Sequence, residues 1–500
     1  MNCFKIKREN YRVFFSLGIA NLIYVLPVIL SGRYYKDDLA RTLYGVAGWR
    51  GDGRPLGEWL IKLISGGHST VDDIAPISWL IAVLVLAYGL TVYAQNHFDL
   101  AEGKFQVVIP LLFVVTNPFA IENWSYRFDC VIMFSALSLI FLLYSIPKMN
   151  TGISIIVYSI TCILVMSLYQ AAIGMCIVLS VTEIFLCIQK KEEKLKSVLI
   201  ENGIRLIAIG LGAIGYKLTI ARHFIDRSGW QNNAAKFVNG NMEETVQIIV
   251  KNFLNALQYI GQYWVSIAFV YKIIYIMVIV GAWGLLLDTF IKQGAGKRKI
   301  LNAIIAVSLP IIAFIGTFLP MILLNSLYWD SKKFLAFGGF MFFMAAVIFS
   351  REQTVIWNRV GILVLIVCLF QQYTYMAVYG NTLKSQREYD EYLVHSIVHD
   401  VESINVDNNY DTISFVGDAP RPRNISRLCE KYPHFEEVVP AYFTNSTWIG
   451  GAYVYRYMQE NINIEEVEEA ELEYIETEQP VMRNSIYSCY VCDSKVIVKF

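Results

Sequence analysis

Charge is scarce in this chain. Asp, Glu, Lys and Arg make up 17% of its 500 residues, and 42 basic side chains are offset by 42 acidic ones. A neutral chain lacks the basic excess that a polyanion would require, so no nucleic-acid partner is expected. Histidine is also sparse, with six residues. No HExxH, P-loop or GxSxG pattern occurs, which argues against histidine-based metal or triad chemistry. The nine cysteines include a lone CxxC, Cys489 and Cys492, and Cys429 is the only other cysteine after residue 380. A zinc site would need two further ligands at suitable spacing, so no metal site is assigned and unpaired thiols are expected there.

Apolar sequence is what the chain has in quantity: 55% hydrophobic residues and a mean hydropathy of +0.45. Membrane helices need about 20 mostly apolar residues. Candidate runs lie near 13–30, 77–94, 105–116, 131–146, 152–168, 171–188, 200–220, 264–287, 300–324, 334–349 and 360–380. The first follows Lys5, Lys7, Arg8 and Arg12 without a small-residue cleavage site, as in an uncleaved signal anchor. Basic residues cluster in one set of connections, including Lys190, Lys191, Lys194, Lys196 and Lys297, Arg298, Lys299, whereas the opposite short loops hold Arg127, Lys332 and Lys333. By the positive-inside rule the N-terminus is cytoplasmic and the C-terminal part lies outside.

Residues 381–500 differ in kind, with 10 basic and 21 acidic side chains. Strand-like runs at 412–417 and 495–500, turn clusters and nine Glu between Glu460 and Glu478 suggest a small α/β domain on the outer face. The Glu stretch reads as a solvated face, with cation binding or repulsion of anionic polymers as the functional alternative. The expected architecture is a polytopic α-helical membrane protein of about eleven transmembrane helices. Residues 1–380 form the multi-span part with long outer loops at 31–76 and 221–262, followed by an extracytoplasmic C-terminal α/β domain at 381–500. Helices lying along the membrane surface are expected in both loops. Gly210-Leu211-Gly212-Ala213-Ile214-Gly215 fits the letters of a dinucleotide fingerprint, but inside an apolar run its glycines are expected to let helices approach.

Chemistry is concentrated in polar residues between the runs. The first outer loop holds Tyr34-Tyr35-Lys36-Asp37-Asp38-Leu39-Ala40-Arg41, then Trp49 and Gly53-Arg54-Pro55-Leu56-Gly57-Glu58. Two adjacent carboxylates can divide their roles, one facing substrate while the other pairs with a cation. Arg41 and Arg54 suit a phosphate, because the planar guanidinium binds oxygen pairs and keeps its charge. Asn117–Asp129 concentrates Glu122, Tyr126, Arg127 and Asp129 in a short turn. Tyr169-Gln170 forms another turn, and Trp329-Asp330-Ser331-Lys332-Lys333 a fourth. All four open to one side in this topology, at the depth of a lipid phosphate, which suggests group transfer from a lipid-linked donor. Solvated charges, local salt bridges and snorkelling lysines are the structural alternatives.

The stretches YYKDDLARTLYG from Tyr34, GRPLGEWLIKL from Gly53, NPFAIENWSYRFD from Asn117 and SLYQAAIG from Ser167 resemble the bacterial glucosyltransferase family that includes the type II O-antigen-modifying, serotype-converting enzymes. Their order matches across essentially the whole chain, and the family is similar to other GT-C glycosyltransferases. The resemblance implies a polyprenyl-phosphate sugar donor, a cell-surface polysaccharide or glycolipid acceptor, and a bilayer environment in the bacterial cytoplasmic membrane. It implies a base at Asp37 or Asp38 and phosphate stabilisation by Arg41, Arg54, Arg127, Lys332 or Lys333. Glu122 and Asp129 would orient the sugar or hold Arg127, and Tyr126, Tyr169 and Gln170 would help orient sugar or acceptor. No cofactor is required, although paired carboxylates leave a divalent metal open as an alternative. A surface-polysaccharide polymerase and a lipid-linked sugar transporter or flippase are the competing functions. A transporter would more often carry paired repeats and midplane charges.

Overall fold

The computed structural model describes the chain except residues 1, 99, 101–104, 191–194, 226–235, 237, 239–240, 293–296, 326–328, 351–354, 406–409, 445–446 and 459–461. Lys191, Lys194 and Glu460, named above, lie outside the described residues, as does part of the 221–262 loop. Nine described helices are long and apolar enough to cross a membrane: Arg8–Ser31, Ile77–His97, Thr151–Leu168, Gln170–Lys190, Leu195–Phe224, Phe269–Lys292, Lys299–Gly316, Ser331–Ser350 and Arg359–Ile404. The chain is thus a polytopic helical membrane protein. Two of the eleven expected runs take other forms. Asp129–Tyr144 is an apolar helix of 16 residues, about 24 Å long and shorter than a hydrocarbon core. The 105–116 run yields only a helical turn at Phe105–Val107 and the helix Val108–Leu112. Beyond it, the Asn117 side chain accepts hydrogen bonds from the amides of Phe119 and Ala120 (3.1 and 3.0 Å) and turns the backbone away.

The chain divides into two compact units. One comprises Met1–Leu26, Ala47–Ser69 and Ile74–Ala377. At its centre the helices Asp129–Tyr144 and Phe337–Ser350 are buried on nearly every face, as a helix apolar all round must be. Small residues permit the closest contacts. A side chain at Gly212 would come within 2.5 Å of the Ser159 carbonyl oxygen, and the Ser159 hydroxyl donates to the Ala208 carbonyl at 2.8 Å. This is the packing role expected of that glycine cluster. In the 31–76 segment, Pro55 occupies the first turn of the helix Pro55–Ile64, where a missing amide costs nothing. Asn241 caps the helix Met242–Ser266 in the 221–262 segment, accepting from the Glu244 amide at 2.8 Å.

The second unit comprises Pro27–Val46, Thr70–Asp73 and Val378–Phe500. It therefore includes part of the first long loop, which the sequence groups with the membrane-spanning part. Its five-stranded sheet has β1 (Thr412–Val416), β2 (Asn463–Ile464), β3 (Met482–Arg483), β4 (Ser488–Cys492) and β5 (Lys495–Lys499), in spatial order β2-β1-β5-β4-β3. β1 runs parallel to β2 and β5, while β4 is antiparallel to β3 and β5. Leu393, Val394, Ile397 and Val401 from the helix Val355–Ile404 pack against Ile413, Phe415, Val496 and Val498 of the sheet. Leu39, from the short helix Asp38–Tyr44, joins that core. The Glu-rich stretch contains the helix Glu469–Thr477, opened by a capping box of Glu468 and Glu471. Lys495 on β5 pairs with Glu471 (2.8 Å) and Glu465 (3.6 Å).

Candidate active site

In the helical unit, residues from separate turns converge on Arg54. Gly53, at φ +75°, places its carbonyl to accept from the Tyr216 hydroxyl at 2.8 Å. Arg54 follows, just before the Pro55–Ile64 helix. Its Nε donates to Gln170 Oε1 at 3.1 Å, and its guanidinium lies 5.0 Å from the Tyr169 ring centre and 3.7 Å from Asp129 Oδ1. Asp129 Oδ1 also accepts from the Trp49 indole at 2.9 Å. The Gln170 amide donates to the Asp52 carbonyl (3.1 Å) and the Tyr216 hydroxyl (2.9 Å), fixing which way it faces Arg54. Burial disfavours the guanidinium charge. Asp52, then Tyr169, Asp129 and Tyr216, outweigh that cost and hold the Arg54 pKa above its ordinary value.

Tyr169 links this group to a second one. Its hydroxyl donates to the Lys332 carbonyl at 2.8 Å, and the Lys332 amide donates to Glu122 Oε2 at 2.7 Å. Glu122 is fully buried, so losing this bond would leave its oxygen with the desolvation cost uncompensated. Lys332 Nζ donates to the Tyr126 hydroxyl at 2.8 Å, lies 4.9 Å from that ring's centre and is 3.6 Å from Asp330. Lys333 Nζ is 3.3 Å from the same aspartate. Arg127 is half-buried in the bend between the helices Ala120–Ser125 and Asp129–Tyr144.

Of the residues singled out from sequence, Arg54, Glu122, Tyr126, Asp129, Tyr169, Gln170, Lys332 and Lys333 therefore belong to one connected polar network, with Arg127 beside its members in the chain. Asp37, Asp38 and Arg41 belong to the second unit. There Asp37 forms an ion pair with Arg41 one helical turn on, with the Asp37 side chain 29% exposed. Asp38 is completely buried, and its Oδ2 accepts from the Tyr35 amide at 3.3 Å. The two neighbours are thus in different environments. Among the described residues, no three His, Cys, Asp or Glu side chains gather as a metal site.

Some polar contacts had no sequence signal. Tyr216 follows the glycine cluster in an apolar helix, and only the fold brings its hydroxyl to Gly53. Arg33 pairs with Asp390 at 2.8 Å, both almost wholly buried. Glu183, by contrast, is visible in sequence as a rare charge within an apolar run; it is buried and pairs with Arg205, which also meets Glu201 at 2.8 Å.

Residues 26–327 match the family model described as Glucosyl transferase GtrII. An uncharacterized 55.3 kDa protein in the gtrB 5' region of Salmonella phage P22 is 25% identical over 501 residues, covering 98% of this chain and 99% of its own. No solved structure matches. With the family model spanning more than half of the sequence, the chain belongs to the GtrII glucosyl transferase family.

Proposed function

We propose that the protein transfers glucose, or a related hexose, from a polyprenyl phosphate to a surface polysaccharide or glycolipid at the outer face of the bacterial cytoplasmic membrane. The reading includes a GT-C-type inverting mechanism, a cytoplasmic N-terminus and an extracytoplasmic C-terminal unit. The observation that supports it most is the bonded network that holds Arg54 and Lys332 through Tyr169, with carboxylates and aromatic rings around both cations. A lipid phosphate needs cations held in place. A sugar needs carboxylates and aromatic faces.

The acceptor hydroxyl gives its proton to the Asp37 carboxylate as its oxygen forms a bond to the anomeric carbon. The bond from that carbon to the phosphate oxygen breaks, and its electron pair leaves with the lipid phosphate, so the configuration inverts. Arg54, Lys332, Lys333 and Arg127 stabilise the negative charge that grows on the departing phosphate, an effect strongest where water is scarce. Glu122 and Asp129 hold the cation-bearing segments and orient sugar hydroxyls, together with Tyr126, Tyr169 and Gln170. Asp37 is assigned as the base over Asp38 because it is the accessible member of the pair. Arg41 fixes its direction.

The deciding experiment measures radiolabelled glucose transfer from undecaprenyl phosphate glucose in membranes. Asp37→Asn is expected to abolish transfer while the protein remains folded. Absence of transfer by the wild type, or its survival in Asp37→Asn, refutes the mechanism. A topology reporter at the C-terminus that reads cytoplasmic refutes the sidedness.

A further inference from the structure

Residues 31–36, just before Asp37, are held by partners far along the chain in the same compact unit. Arg387 donates to the Ser31 carbonyl at 2.7 Å. Arg33 bonds to Asp390 (2.8 Å) and to the Pro440 carbonyl (2.5 Å), and the Tyr35 hydroxyl donates to the Val438 carbonyl at 3.1 Å. Tyr442 makes the most specific contact. Its hydroxyl donates to the Tyr34 carbonyl at 2.9 Å and accepts from the Lys36 amide at 2.8 Å.

Those two bonds bracket a backbone conformation that does not form cheaply. Lys36 has φ +49°, a left-handed value that side chains with a Cβ rarely adopt and that persists only where its surroundings impose it. Asp37 follows directly, and the helix carrying Arg41 begins at Asp38. The Tyr442 ring is itself fixed, buried with the Arg33 guanidinium 4.2 Å from its centre. Burial pushes the Tyr442 pKa up to about 12, so its hydroxyl keeps the proton that it donates.

We infer that Tyr442 is a positioning residue for the transfer reaction, its hydroxyl holding Lys36 in the left-handed turn that aims the Asp37 carboxylate. The inference rests on the reading of Asp37 as the base. The C-terminal unit then acts on the chemical step itself, beyond any part it has in acceptor recognition.

The test uses the full-length protein in membranes. Tyr442→Phe keeps the ring and removes both bonds, so kcat is expected to fall about tenfold while KM for donor and acceptor stays within about twofold. Deuterium uptake by peptides covering 33–37 should quicken. Adding Lys36→Gly, which accepts positive φ without strain, should restore most of the lost kcat relative to Lys36→Gly alone. An unchanged kcat in Tyr442→Phe overturns the inference, as does a loss that Lys36→Gly does not repair or one explained by less folded protein with unaltered exchange at 33–37. If Asp37→Asn retains transfer, the assignment of the base falls. If Asp37→Asn abolishes it and Tyr442→Phe does not slow it, the positioning role alone falls.

Discussion

Gly53 offers a quantitative probe of the network that holds Arg54. A Cβ added there would lie 2.3 Å from the Tyr216 hydroxyl, and the backbone is at φ +75°. Gly53→Ala therefore has two separable costs besides a close approach to the Ile225 side chain at 3.1 and 3.2 Å, which Tyr216→Phe leaves in place. Forcing an L-residue into the left-handed region costs about 1 kcal/mol. Displacing the hydroxyl breaks its bonds with the Gly53 carbonyl and the Gln170 amide, at about 1 kcal/mol each. The single substitution should thus destabilise the protein by about 3 kcal/mol, and Tyr216→Phe by about 2 kcal/mol. In the Tyr216→Phe background the obstructing oxygen is already gone, so Gly53→Ala should cost the backbone term of about 1 kcal/mol and the Ile225 contact that both backgrounds share. The double mutant is then more stable than the sum predicts by about 2 kcal/mol. Denaturant unfolding of the four proteins in one detergent measures this coupling. Effects that add to within about 0.5 kcal/mol would mean that the hydroxyl and Gly53 do not meet as described.

Arg54→Lys keeps the charge but cannot reach Gln170 and Asp129 with one planar fork, so donor KM should rise about tenfold; an unchanged KM in initial-rate assays would remove Arg54 from donor binding. Lys332→Met should raise donor KM about three- to tenfold at unchanged acceptor KM, and an effect confined to the acceptor would reassign that lysine. Burial works to raise the Glu58 pKa, but Lys62 and the Arg50 amide hold it below the ordinary carboxylate value. Its contribution to stability is therefore present above the unfolded-state pKa and lost as pH falls through the folded one, and Glu58→Gln should flatten the acid side of a stability profile. Burial pushes the Cys489 thiol up to about 12, so at pH 8 iodoacetamide should modify the more exposed Cys492 well before Cys489; mass spectrometry showing equal rates would contradict the burial.

Much of the helical architecture could be read from the sequence, because a run of apolar residues has few alternatives to a buried or lipid-facing helix. What periodicity could not show was where a run stops being one helix. At 105–116 the Asn117 side chain competes for the backbone amides that would have continued it. The polar network was partly legible for a related reason. Polar and aromatic residues in short turns between apolar runs have little local structure to serve, so Glu122, Asp129, Gln170 and Lys332 stood out. Their pairing did not, since Lys332 meets Glu122 across 210 positions. Arg33 and Asp390, 357 positions apart, are each unremarked in sequence and become a buried pair only through the tertiary fold. Asp37 and Asp38 look equivalent as letters. The bond from the Tyr35 amide and complete burial set Asp38 apart.

The bonds between Lys36 and Tyr442 span 406 positions, and this has a consequence for biosynthesis. At about 5–20 residues per second, a ribosome needs about 20–80 s to make the residues between them. The sheet of that unit also waits for β5, whose strand sits between β1 and β4. During the interval the turn at Lys36 has no hydroxyl to hold it. A chain stopped before Tyr442 therefore leaves the Lys36 turn without its hydroxyl partner, and one stopped before Lys495 leaves β1 and β4 without the strand between them. On the reading of Asp37 as the base, transfer would begin only once translation has passed β5, and a copy cut short before that strand would be idle.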